Sequence, residues 1–156
     1  MDVAEQTPAP EQAGRRRCIS LLARATSDEL GTAWEGLADK PDTRAVRGPE
    51  TGLVMVRGRI GGGGSPFNLG EATVTRATLS LQSGTIGHAQ ALGTDKRKVR
   101  LAAIFDALWQ EEMTRDYVES VVLSPVEDRI AAEEKAKAEE TAATRVDFFT
   151  MVRGDD

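Results

Sequence analysis

Arg57, Arg59 and Arg76 are the residues whose chemistry stands out first. A guanidinium is a permanent cation with a planar fork of donors that matches phosphate or carboxylate. Arg57 and Arg59 lie two apart in an apolar run, Thr51 to Ile60, and Arg76 belongs to a second run, Glu71 to Leu81. If the two runs pair as strands, three guanidiniums can grip one anion, and register decides whether they share a face. Lys96 heads a further cationic cluster, with Arg97, Lys98 and Arg100. Between the runs, Gly61-Gly-Gly-Gly64 could cradle an anion with successive amides. It has no Gly-Lys-Ser/Thr ending and does not lead a strand into a helix, so it reads as a hairpin loop.

Other chemistry finds less support. Cys18 is the one cysteine and His88 the one histidine, far apart in the chain. That argues against a self-contained zinc site or a Cys-His pair, and no disulfide can form within the chain. No carboxylate pair and no Ser-His-Asp set stands out. The residues themselves nominate no catalyst.

The elements that must hold these side chains are legible from pattern. Thr51 to Ile60 is too densely aliphatic and β-branched for an amphipathic helix and reads as a strand, as does the threonine-rich run Glu71 to Leu81. Gln82-Ser-Gly84 is a tight turn into a third strand, Thr85 to Leu92, and Thr43 to Arg47 is short enough to be a separate edge strand. Gly61 to Gly70 serves as the long loop between the first two. The expected fold is α+β: a meander of three or four antiparallel strands flanked by about four helices.

The helices have their own signatures. Residues 1–14 carry no periodicity and read as a disordered lead. From Arg15, Cys18, Leu21, Leu22 and Ala25 share a helical face, which makes Cys18 a buried thiol. The cluster Arg15-Arg-Arg17 opposes a helix dipole and is expected to face solvent or a partner. Thr26-Ser-Asp-Glu29 is a capping box that opens a second helix, ended by Pro41. Thr94 is a cap for a third, with Leu101, Ile104, Phe105, Leu108 and Trp109 as its apolar stripe. Tyr117 to Leu123 fits a short helix or an extended segment equally. Ser124-Pro-Val-Glu127 signals a helix start, and residues 125–143 then make a projecting polar helix with little but alanine for apolar surface. Residues 15–143 are expected to form one domain. In the tail, 144–156, Arg145, Val146, Phe148, Phe149, Met151, Val152 and Arg153 form an apolar, interface-like stretch.

A chain of 156 residues can bury roughly two thirds of its unfolded surface, but with 4% aromatics its core must be mostly aliphatic. A net charge of -5 argues against general nucleic-acid binding. No run approaches the ~20 apolar residues that span a bilayer, and Met1 to Gly14 has no apolar signal region, so a cytoplasmic protein is expected. The tripeptide Arg153-Gly-Asp155 is therefore read as chance.

Four stretches carry a resemblance. Glu50-Thr-Gly-Leu-Val-Met-Val-Arg-Gly-Arg-Ile-Gly-Gly-Gly-Gly64, Phe67-Asn-Leu-Gly-Glu-Ala-Thr-Val-Thr-Arg76, Leu92-Gly-Thr-Asp-Lys-Arg97 and Ala143-Thr-Arg-Val-Asp-Phe-Phe-Thr-Met-Val-Arg-Gly-Asp155 are similar to the PhnG family of the bacterial carbon-phosphorus lyase system. The resemblance implies a non-catalytic or accessory subunit in a hetero-oligomer with PhnI, PhnH, PhnJ and possibly PhnL. It implies support for a transferase, α-D-ribose 1-methylphosphonate 5-triphosphate synthase, in which an alkylphosphonate displaces the adenine of ATP in phosphonate catabolism. The complex would use ATP while this chain binds no cofactor itself and is inactive alone. The competing reading is a subunit that lends Arg57, Arg59, Arg76 and Lys96 to a shared nucleotide or phosphonate site. A stand-alone binding module would instead be a stable monomer. Neither nucleic acid nor membrane is an expected partner.

Overall fold

The computed structural model describes residues 10–61 and 63–143. Three strands form one antiparallel sheet in the order β1-β2-β3: β1 is Thr43–Gly58, β2 Phe67–Leu81 and β3 Ile86–Leu92. The segment 43–47 is not a separate edge strand. It is the beginning of β1, which continues past Pro49 because Pro needs no ladder bond on an outer strand. The cost shows as register shifts between Ala45 and Arg47 and between Arg47 and Glu50. β2 begins at Phe67, earlier than Glu71, so the connecting loop is shorter than the glycines suggested.

Helix α1 spans Pro10–Arg24, so residues 10–14, assigned above to the lead, are helical. Glu11 occupies its first turn and favours the dipole there, and Arg15 to Arg17 lie further along. α2, Ser27–Gly36, has the predicted capping box: the Glu29 amide donates to Thr26 Oγ1 at 3.2 Å, and the Thr26 amide to Glu29 Oε2 at 2.7 Å. It ends at Gly36, short of Pro41, with the Leu37 amide returning to the Trp34 carbonyl.

α3, Lys96–Gln110, is the central element. Its cap is Asp95, not Thr94: Asp95 Oδ1 accepts the Lys98 amide at 2.8 Å. That carboxylate is the negative group that the cationic first turn requires. Lys98 Nζ in turn donates to the Ala23 carbonyl at 2.9 Å, at the end of α1. Val99 and the whole run Leu101 to Trp109 are buried, because α3 meets the sheet on one side and α1 and α2 on the other. Phe105 is fully enclosed, and burying such a side chain stabilises by about 2–3 kcal/mol. Contact with β3 is close. A Cβ at Gly87 would run into the Ala103 carbonyl and lie 2.9 Å from Ala107 Cβ. Gly87, Ala89 and Ala91 are buried beneath α3, while Ile86, His88, Gln90 and Leu92 alternate with them on the sheet's uncovered face.

The last helical stretch differs from expectation. α4, Glu112–Tyr117, a π-helical segment, Val118–Leu123, and α5, Ser124–Ala143, follow without a break. Ser124-Pro125 therefore starts no new helix. The Ser124 amide bonds back to the Glu119 carbonyl, and this wider turn takes up the proline ring that would otherwise press on the Val121 carbonyl. Val118, Val122, Leu123, Val126 and Ile130 are buried, but residues 131–142 are exposed. Ion pairs fasten the root of α5: Arg17 to Glu119 and Glu127, Arg24 to Glu134, and Arg129 to Glu29. Two of the three N-terminal arginines are thus spent within the fold. Arg17 meets Glu119 and Glu127, and Arg15 meets Asp106.

Candidate interaction surface

β3 pairs with β2 only as far as the rung Val74–Leu92. Beyond it β1 and β2 continue as a two-stranded arm, Leu53 to Gly58 against Thr73 to Phe67. At about 3.3 Å per residue the arm is about 20 Å long. Among the described residues no helix covers either face. Leu53 and Met55 point one way, Val54 and Val56 the other, and all four are exposed, Leu53 by 63%. Ile60, Phe67 and Leu69 extend the apolar surface around the tip, and Leu92, 75% exposed, sits at its root. Scattered surface leucines are ordinary, but a contiguous two-sided strip is a binding feature.

The arm is anchored by threonines. Thr75, fully buried, shares a hydrogen bond with Thr51 at 2.9 Å and donates to the Gly93 carbonyl at 2.7 Å. Those contacts join β1, β2 and the end of β3 just where the helical layer stops.

The four cations singled out above do not come together. Arg76 lies opposite Glu50 and pairs with it at 2.7 Å, and Arg47 binds the same carboxylate at 2.6 Å. The Arg76 hydrogen bond holds the Glu50 carboxyl below its usual range. Arg57 lies opposite Asn68, seven residues along β1 from Glu50, and Arg59 follows the end of the strand. Lys96 opens α3 and is exposed. A shared grip by Arg57, Arg59 and Arg76 is therefore excluded by register: roughly 23 Å of strand separates Arg57 from the rung that holds Arg76. The interface-like residues Arg145, Val146, Phe148, Phe149, Met151, Val152 and Arg153 lie outside the described residues, as does Gly62 of the loop.

No group of three or more His, Cys, Asp or Glu among the described residues could hold a metal ion. No described helix is long and apolar enough to cross a membrane. Cys18 is buried, and desolvation pushes its thiol well above the usual value, which makes it a poor nucleophile. His88 lies on the open sheet face with Nδ1 2.8 Å from Thr78 Oγ1. Asp106, which sequence reasoning passed over, is fully buried and accepts from Arg15 and from the His88 amide. An acid within an otherwise apolar stripe was the available signal.

Fold and surface together define a small α+β interaction protein, with Arg15, Arg17 and Arg129 paired into the body and apolar side chains carried out on a hairpin. The chain belongs to the PhnG family: it matches the family described as "Phosphonate metabolism protein PhnG" over residues 13–154. A relative in Rhizobium meliloti (strain 1021), named α-D-ribose 1-methylphosphonate 5-triphosphate synthase subunit PhnG, is 61% identical over 156 residues, covering 100% of this chain and 99% of the relative.

Proposed function

We propose that this chain is a non-catalytic subunit of an α-D-ribose 1-methylphosphonate 5-triphosphate synthase, the complex named for its relative. The observation that carries the reading is the β1–β2 arm, apolar on both faces and, among the described residues, covered by a helix on neither. Such a surface is costly in a monomer and natural in an obligate assembly. PhnI is the partner to try first, with PhnH, PhnJ and PhnL in the wider complex, in the cytoplasm. ATP and the alkylphosphonate are substrates of that complex, and this chain brings no cofactor of its own.

The test is size-exclusion chromatography with light scattering, on the chain alone and co-expressed with PhnI. A defined hetero-complex is expected, lost when Leu53→Ser and Met55→Ser are combined, while circular dichroism and melting stay unchanged. A well-behaved monomer that ignores PhnI would overturn the reading.

A second reading has one observation in its favour. Arg57 and Arg59, at the outer end of the arm, make no ion pair among the described residues. Docking by the arm would bring these cations to the partner, where they can meet a phosphate. Arg57→Ala and Arg59→Ala would then reduce synthase activity with the complex intact. A fall in both, or in neither, argues for scaffolding alone.

A further inference from the structure

The two edges of the sheet are built differently. Along the first half of β3 two outward backbone groups are already occupied: Asp106 Oδ2 accepts the His88 amide at 2.8 Å, and Gln110 Nε2 donates to the Ile86 carbonyl at 2.9 Å. Side chains of α3 stand where a fourth strand would pair. The first half of β1 is blunted by another means, two register shifts and Pro49. From Glu50 to Val56 neither device is present: pairing with β2 runs unbroken from Arg76 to Gly70. An unblunted apolar edge is a template for another strand.

The direction of its backbone groups follows from the far side of the sheet. The Gly93 amide donates to the Thr73 carbonyl, so odd-numbered residues of β2 turn their backbone groups toward β3 and even-numbered ones toward β1. The β1 partners of the even set, Glu50, Gly52, Val54 and Val56, face inward. Thr51, Leu53 and Met55 therefore aim both amide and carbonyl at the open edge. The opposite edge of the arm is a poorer template. β2 has a register shift there, opposite the step from Val56 to Arg57, and Gly70 sits at φ 158°.

We propose that the edge Thr51 to Met55 receives an extended segment of a partner subunit by strand addition. The proposal rests on the subunit reading above and specifies how the arm docks. The added strand carries apolar side chains on both faces, to continue the Leu53–Met55 and Val54–Val56 surfaces, and a carboxylate toward Arg57 and Arg59. A second copy of this chain fits badly. An antiparallel copy centred on Leu53 sets Arg57 against Pro49, which has no amide to offer, and Arg59 against Arg47, like charge against like.

Hydrogen exchange at single-amide resolution tests this, on the chain alone and in the complex co-expressed with PhnI. The amides of Thr51, Leu53 and Met55 should gain protection of about a hundredfold or more in the complex, while those of Gly52, Val54 and Val56 are protected in both states. Met55→Pro removes one outward donor and spares the ladder to β2, whereas Met55→Ser keeps the donor. The proline variant should weaken assembly by about tenfold or more and the serine variant by clearly less. If both variants weaken assembly equally and the outward amides gain nothing, the arm docks by its faces, and the edge proposal fails while the subunit reading stands. If the Leu53→Ser, Met55→Ser double variant also assembles normally, the arm is not the docking element and the edge proposal fails while the subunit reading stands; if the unaltered chain ignores PhnI, both fail. If the outward amides are already protected in the isolated chain and it is a dimer, a second copy holds the edge and the proposal is overturned.

Discussion

Arg15 and Asp106 form a two-pronged ion pair across the helical layer: Nη2 reaches Oδ2 at 2.8 Å and Nε reaches Oδ1 at 3.2 Å. Asp106 is fully buried and Arg15 is 35% exposed, so the cation bridges water and core. Oδ2 also takes the His88 amide, so one carboxylate ties α1, α3 and β3 together. The hydrogen bond to Asp106 raises the Arg15 guanidinium further above its already high range.

Removing Arg15 leaves that carboxylate enclosed without a counter-charge. Arg15→Ala should cost about 2–3 kcal/mol in urea unfolding, less than a wholly buried pair because Arg15 is partly hydrated. Asp106→Asn, which keeps the shape and an acceptor for His88, should cost less. Additive effects of the two changes would mean that the pair carries no coupling.

Two glycines in the sheet should respond in opposite ways. Gly87→Ala drives a methyl into the Ala103 carbonyl, a backbone atom that cannot swing aside, and should destabilise by about 3 kcal/mol. A Cβ at Gly52 meets nothing within 4 Å, so Gly52→Ala should be neutral or stabilise by up to about 1 kcal/mol. Chemical denaturation of both variants decides it.

Acid should weaken the protein through its caps. Burial alone would raise the Glu29 carboxyl, but hydrogen bonds from Arg129 and from Thr26 outweigh it and hold the group below its ordinary 4.5. The Lys98 amide likewise holds Asp95 below 3.8. Folded values lie below unfolded ones, so this stability is complete above about pH 4.5 and is lost as pH falls through the folded values. Melting temperature should therefore drop below about pH 4.5, and Glu29→Gln should make the drop shallower while costing about 1 kcal/mol at pH 7.

Cys18 should be silent until the chain opens. Burial pushes its thiol up, with the Asp106 and Glu119 carboxylates adding to the effect. Ellman's reagent at pH 8 is expected to find no thiol in the native protein and one per chain in urea. Rapid native labelling would mean that α1 separates readily from α3.

The sequence by itself determined much of the local structure. The Thr26 capping box, the stripe of α3, the strand-turn-strand from Glu71 to Leu92 and the burial of Cys18 all depend on residues a few positions apart, and periodicity records them. The run Leu53-Val-Met-Val56 also declared a strand, and its lack of polar alternation left open what covers its two faces. Tertiary structure decided that described helices cover neither. It also decided that Arg76 meets Glu50 rather than Arg57, that Asp106 reaches Arg15 and β3, and that Pro125 stays inside a continuous helix. Each is set by register or by packing between distant segments, and a one-residue slip along β1 would have reversed every face of the arm.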